Sequence, residues 1–193
     1  MFFSCRGKCY ICLITTARSK EEAVQKGFRV MDFSIGIDPG WSSCGLSLVS
    51  GKELVWSGSF VPKDSKSILG AIQTMEYKLN LCEKDANFDI EVYLERFVAY
   101  QGIHSSASEE ILMFIGALVY YFQERGDTVN LVRAIEWKPK IAKHIFRTKG
   151  ISNPSDSFDK KFSIWAAKQL SSKDIRSDHE ADAICLSYLG AIK

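Results

Sequence analysis

The sequence predicts an α/β domain on a mixed five-stranded sheet, strand order 3-2-1-4-5, with helices on both faces. Two observations carry this. Three β-type segments follow one another with only turn residues between them, as in an antiparallel meander. Two more β-type segments then alternate with stretches of helical period, and a strand that returns after a helix joins its sheet in parallel.

The first segment, Asp32–Asp38 (DFSIGID), alternates and stops at Pro39-Gly40, a turn signal. Cys44–Ser50 is the second, and Gly51-Lys52 connects it tightly to the third, Glu53–Val61. From Ser65 to about Asp85, Ile68, Leu69, Ile72, Met75, Leu79 and Cys82 recur at helical spacing. Asp89–Phe97 (DIEVYLERF) is rich in β-formers and reads as the fourth strand. Ser108-Glu109-Glu110 opens a helix with acids in its first turn, where the helix dipole favours them, and Gly126-Asp127 closes it. Thr128–Ile135 reads as strand five and Trp137–Phe146 as a short basic helix. Arg147–Ser157 reads as a loop, and Phe158–Leu170 and Asp178–Ala191 as two final helices. Apolar breadth marks Ile111–Tyr121 as a core helix with a possible dimer face. Trp56, Trp137 and Trp165 read as core anchors.

At 193 residues, 46% hydrophobic and 25% charged, the chain suits one globular domain. It is too short for a two-lobed sugar-kinase-like enzyme, which also uses a strand ending in Asp-x-Gly. It has no apolar run near the roughly 20 residues of a membrane-spanning helix. The net charge of +2 hides an asymmetry. Residues 32–127 hold seven basic and fourteen acidic groups, whereas residues 128–193 hold twelve and seven. That pattern implies an acidic cluster facing a basic surface. Lys140, Lys143, Arg147 and Lys149 are candidate phosphate contacts. Cys44, Cys82 and Cys185 sit singly in apolar patterns and read as reduced core thiols. Residues 1–31 carry a short apolar run behind Arg6 and Lys8 and read as an extension preceding a domain at 32–193. Glu21 and Glu22 argue against an organelle presequence.

Three acids stand out. Asp38 ends an apolar strand, where an unpaired charge is costly. Glu95 ends the strand expected beside it. In Asp178-His179-Glu180-Ala181-Asp182, which opens an apolar helix, His179 and Asp182 are spaced to share one helical face, as are Asp178 and Asp182. Each alone is an ordinary turn former, surface pair or first-turn acid. Together they suit Mg²⁺ or Mn²⁺, which take oxygen ligands. Two such ions about 4 Å apart would activate water and stabilise the leaving oxygen of a phosphodiester. His179 is then either a fourth ligand or a group that positions water. His104 and His144 have no visible metal partner in the sequence.

Ile35-Gly36-Ile37-Asp38-Pro39-Gly40, Leu94-Glu95-Arg96-Phe97 and His179-Glu180-Ala181-Asp182-Ala183-Ile184 resemble, in order and spacing, the three acidic motifs of the RuvC family of Holliday junction resolvases, within the RNase H-like superfamily. The resemblance spans residues 32–193. It implies an RNase H-like fold and a Mg²⁺-dependent homodimeric endonuclease, with two ions per site, that makes paired cuts in a four-way DNA junction. The enzyme would work in the cytoplasm of a bacterial or phage-infected cell, with no membrane partner. Asp38, Glu95, His179 and Asp182 would be its catalytic and metal-binding residues. Lys138 and Lys160 would correspond to the family's phosphate-holding lysines; Lys143, on the basic helix with Lys138, is a further candidate DNA contact. Phe97 and Tyr100 lie where bacterial members place a base-contacting aromatic. The Trp41-Ser42-Ser43-Cys44 turn and Val98–Gly102 differ from the bacterial pattern, as in a divergent phage or viral branch. The alternatives are a related nuclease acting on flaps, forks or RNA–DNA hybrids, and a non-catalytic DNA-binding protein of the same fold.

Overall fold

The computed structural model describes residues 33–79, 90–97, 106–154, 157–175 and 177–192. The expected extension at 1–31, Cys82, Tyr100 and His104 lie outside the described residues.

Strands β1 (Phe33–Asp38), β2 (Cys44–Ser50) and β3 (Glu53–Phe60) form the meander. Helix α1 (Ile68–Leu79) precedes β4 (Glu91–Glu95), and α2 (Ser106–Glu124) precedes β5 (Thr128–Val132). Helices α3 (Ala134–Lys149), α4 (Lys160–Ser171) and α5 (Asp178–Ser187) follow. The sheet order is β3-β2-β1-β4-β5, with β1–β2 and β2–β3 antiparallel and β1–β4 and β4–β5 parallel, as expected.

Side-chain alternation divides the sheet between two cores. Ile35, Ile37, Leu46, Val92 and Leu94 face α1 and α2, where Met75, Phe114, Leu118 and Phe122 bury them. The opposite face meets Trp137, Ile141, Phe162, Ala181 and Ile184 of α3, α4 and α5. Ser34, Gly36 and Asp38 share the parity that turns toward α5. In β4, so do Tyr93 and Glu95. One period-2 rule thus builds the first core and delivers two carboxylates to the other face.

Several boundaries differ from expectation. A 3-10 turn at Pro62–Ser65 precedes α1, and Lys66 in a left-handed conformation (φ 58°) ends it, so the helix begins at Ile68, not Ser65. Strand β5 stops at Val132, and Ala134 already belongs to α3. The Glu136 carboxylate accepts from the Arg133 backbone N–H (3.0 Å) and guanidinium, a local cap that competes with sheet pairing. Helix α3 also outlasts the expected Phe146 and stops at Gly150, whose φ of 69° suits a helix C-cap. Asp159 caps α4 by accepting from the amides of Lys161 and Phe162, which starts that helix at Lys160.

Helix α5 lies on β1 and β2 at backbone distance. A Cβ at Gly36 would stand 1.9 Å from the Ala183 carbonyl oxygen, and one at Gly45 would stand 1.9 Å from that of His179. Beside the glycines, the Ser47 hydroxyl donates to the Ala183 carbonyl (2.7 Å) and the Ser34 hydroxyl to that of Ser187 (2.5 Å). Small and hydroxylic residues thus replace the apolar layer that normally separates helix from sheet.

Gly36→Ala is expected to cost more than about 3 kcal/mol, beyond the usual range for overpacking, because the atom it meets is backbone. Gly51→Ala, at a left-handed hairpin position with open space around it, should cost about 1–2 kcal/mol. Urea denaturation of both variants checks this; equal costs would contradict the backbone-contact account.

Candidate metal and phosphodiester site

Asp38 and Glu95 end neighbouring parallel strands, paired up to Ile37 with Leu94. Strand spacing alone puts their backbones about 4.8 Å apart. Helix α5 brings the third acid. Its first turn passes over Gly45 and its second over Gly36, so Asp182 arrives beside Asp38. His179 Nδ1 lies 2.6 Å from Asp38 Oδ2. The Ser177 hydroxyl accepts from the Glu180 amide and caps α5 at this end, so the positive pole of the helix is turned to the acids.

The acids feel one another. Burial, then the charges of Asp38 and Asp182, push the Glu95 carboxyl up to about 8. Burial and Asp38 push Asp182 up to about 6. His179 is raised, chiefly by its hydrogen bond to Asp38, so its cationic form is favoured there. Trp137, fully buried on α3, donates its indole N–H to Glu95 Oε2 (3.2 Å). Among the described residues, Asp182 Oδ1 and Ser163 Oγ are buried with no hydrogen-bond partner of normal geometry, though the nearby Ser163 hydroxyl holds the Asp182 pKa down.

This donor set fits a hard divalent cation in kind. It supplies three carboxylates, one with an orphaned buried oxygen, and mutual repulsion that a cation would relieve. Among the described residues, no three His, Cys, Asp or Glu side chains converge as a metal cage, and His179 occupies one Asp38 oxygen. Holding a cation here would require local side-chain adjustment of Asp38, Glu95, Asp182 and His179.

Two of the expected lysines border the acids. Lys138 sits 5.2 Å over the Trp137 ring, donates to the Phe158 carbonyl (3.2 Å), and lowers the pKa of both Glu95 and Asp182. Lys160 pairs with Asp178 at 2.5 Å and also feels Asp182 and Asp38. Asp178 is therefore turned to Lys160, and it is His179 that joins the acids. Lys143 is exposed on α3, about 140° around the helix from Lys138, and is not brought to the site. Phe97 is half-buried against the first core. Sequence reasoning placed Trp137 in the core but missed its bond to Glu95. The signal was available in principle, since a buried indole N–H needs an acceptor. Ser163 carries no such signal. Glu180 turns away to Ser57 and Lys173, at 2.7 Å each.

No protein-family model and no curated protein sequence matches this chain. The solved structures similar to this chain include two of RuvC. The Thermus thermophilus RuvC in complex with Holliday junction substrate matches at 15% identity with a TM-score of 0.54, and the Thermus thermophilus RuvC structure at 16% with 0.53. Each comparison covers 80% of this chain and 90% of the other. The mixed sheet with flanking helices is the RNase H-like fold of RuvC, and the likeness at this identity is one of fold.

A group whose folded pKa is raised stabilises most when protonated, and that contribution is lost as pH rises through the raised value. Metal-free protein should therefore lose stability between about pH 4.5 and 8 from Glu95. Glu95→Gln, which keeps the acceptor for Trp137, should raise Tm at pH 8 in EDTA by several degrees and flatten the pH slope. A lower Tm for the variant at pH 8, or an unchanged slope, would contradict the clustered-acid picture. Thermal melts across this range check it.

Proposed function

We propose that the protein is a metal-dependent endonuclease that resolves four-way DNA junctions by paired phosphodiester cleavage, as a homodimer. The observation that carries this is the mutual electrostatic coupling of Asp38, Glu95 and Asp182, drawn from β1, β4 and α5, with Lys138 and Lys160 acting on the same acids. A protein that only bound DNA has no use for clustered, partly buried carboxylates where phosphates must come. The solved RuvC–junction complex shares the fold, and the sequence motifs fall on the elements expected of that family.

Asp38, Glu95, Asp182 and His179 hold Mg²⁺, for which Mn²⁺ substitutes, as two ions per site. When bound, the ions supply Lewis acidity toward the phosphate and the attacking water and neutralise the departing oxygen. The chain's own groups do the rest. Trp137 fixes one Glu95 oxygen and His179 fixes one Asp38 oxygen. Lys138 and Lys160 hold phosphate oxygens on the α3–α4 side. Two copies related by a twofold axis would address two strands of a junction alike. Leu112, Met113 and Tyr120 form an exposed apolar stripe on α2 suited to that pairing, each more than half exposed.

Incubation with an immobile synthetic junction and Mg²⁺ should give paired nicks on opposing strands. Asp38→Asn and Asp182→Asn should each cut at least about 100-fold more slowly yet still bind the junction in EDTA. Undiminished cutting by either variant would refute the assignment. Cutting of a flap or an RNA–DNA hybrid in place of the junction would move the protein to the other nuclease reading.

A further inference from the structure

A cleft of about 470 Å³ adjoins the acids on the α2 side, lined among others by Gly40, Trp41, Ser43, Lys63, Glu110 and His179. We propose that it receives the base of the nucleotide next to the scissile phosphate, with Glu110 reading that base and Lys63 holding its phosphate. This rests on the nuclease reading above and adds a specificity site to it.

The cleft and the acid cluster share a wall. His179 bonds Asp38 through Nδ1 and turns Cε1 toward Gly40, 3.6 Å from where a Cβ would stand. A strand whose phosphate lies over the acids therefore enters the cleft with its next nucleotide. The cleft is also preformed. The Gly40 amide donates to the Asp38 carbonyl (3.1 Å), and the Lys63 amide donates to that of Trp41 (3.2 Å), tying the β1–β2 loop to the Pro62–Ser65 turn. A Cβ at Gly40 would meet the Ser43 carbonyl at 2.2 Å, so only glycine lets the loop close this far. Trp41 is held edge-on against Phe114, ring centres 5.6 Å apart.

The lining selects the ligand. The volume lies in the range of small-ligand sites and suits one nucleotide, not a duplex. Trp41 offers an aromatic surface of the kind on which bases stack. Lys63, in the cleft lining, supplies a cation for a phosphate. Glu110 repels phosphate, and what it accepts is an amino hydrogen such as cytosine N4 or adenine N6 presents. The carboxylate thus orients the nucleotide, base inward and phosphate toward Lys63. Neither Phe97 nor Tyr100 is needed for this.

The test uses full-length protein and immobile junctions randomised at the two positions flanking the cut, with the cut ends sequenced. Wild type should favour cytosine or adenine at one position at least fivefold. Glu110→Ala should reduce the preference to below twofold. Lys63→Ala should keep the preference but raise the half-saturating junction concentration about tenfold and lower the salt-dependence slope by about one. Lys52→Ala, an equal charge change at the hairpin on the opposite end of the sheet, should do neither. In EDTA, 2-aminopurine at the favoured position should lose fluorescence on binding wild type and lose less with Trp41→Leu. No preference in wild type, or one that survives Glu110→Ala, overturns the proposal while leaving the nuclease reading intact. Failure of wild type to cut any junction, flap or hybrid overturns both.

Discussion

Helix α5 rests on β1 and β2 with backbone against backbone, and the candidate site exists because of it. An ordinary helix packs on a sheet through a layer of side chains about 10 Å deep. Gly36 and Gly45 remove that layer where α5 crosses, and Ser34 and Ser47 bond helix carbonyls in its place. The helix start is thereby fixed close to the end of β1. Asp182 comes near enough to Asp38 and Glu95 for their charges to act on one another, and His179 bonds Asp38 itself. With a layer of valines or leucines at these positions, the three acids would stand apart and each would be an ordinary solvated carboxylate.

Bringing like charges together under partial burial costs stability, and the structure offsets only part of that cost. One indole N–H, one imidazole and two lysines at the margin face three carboxylates, and among the described residues one Asp182 oxygen has no hydrogen bond. A cation held there would relieve the repulsion that the acids carry. The helix pole of α5 and the lysines of α3 and α4 contribute to the same balance.

Much of this was legible in the residues. Alternation in SIGID and VYLE set both the strands and the face to which Asp38 and Glu95 turn. The close meander and the helix-separated strands gave the sheet order. Helix ends were less legible. The β-like TVNLVRAI was cut short by a side-chain cap at Glu136, a contact that depends on geometry three residues away. His179 and Asp178 could not be separated by spacing, since both can face Asp182. The Lys160–Asp178 pair separates them, and it forms only once α4 is docked. Trp137 shows the remaining limit, because a core tryptophan and a tryptophan that holds a carboxylate look alike until the acceptor is placed.

Acids from β1, β4 and α5 are proposed to hold divalent cations jointly. Crystals soaked in Mn²⁺, with data collected at the manganese absorption edge, test it most directly. Anomalous peaks are expected within coordination distance of Asp38, Glu95 and Asp182 in wild type, lost in Asp182→Asn. Manganese bound elsewhere on the molecule, or peaks at this site that persist unchanged without the Asp182 carboxylate, would contradict it.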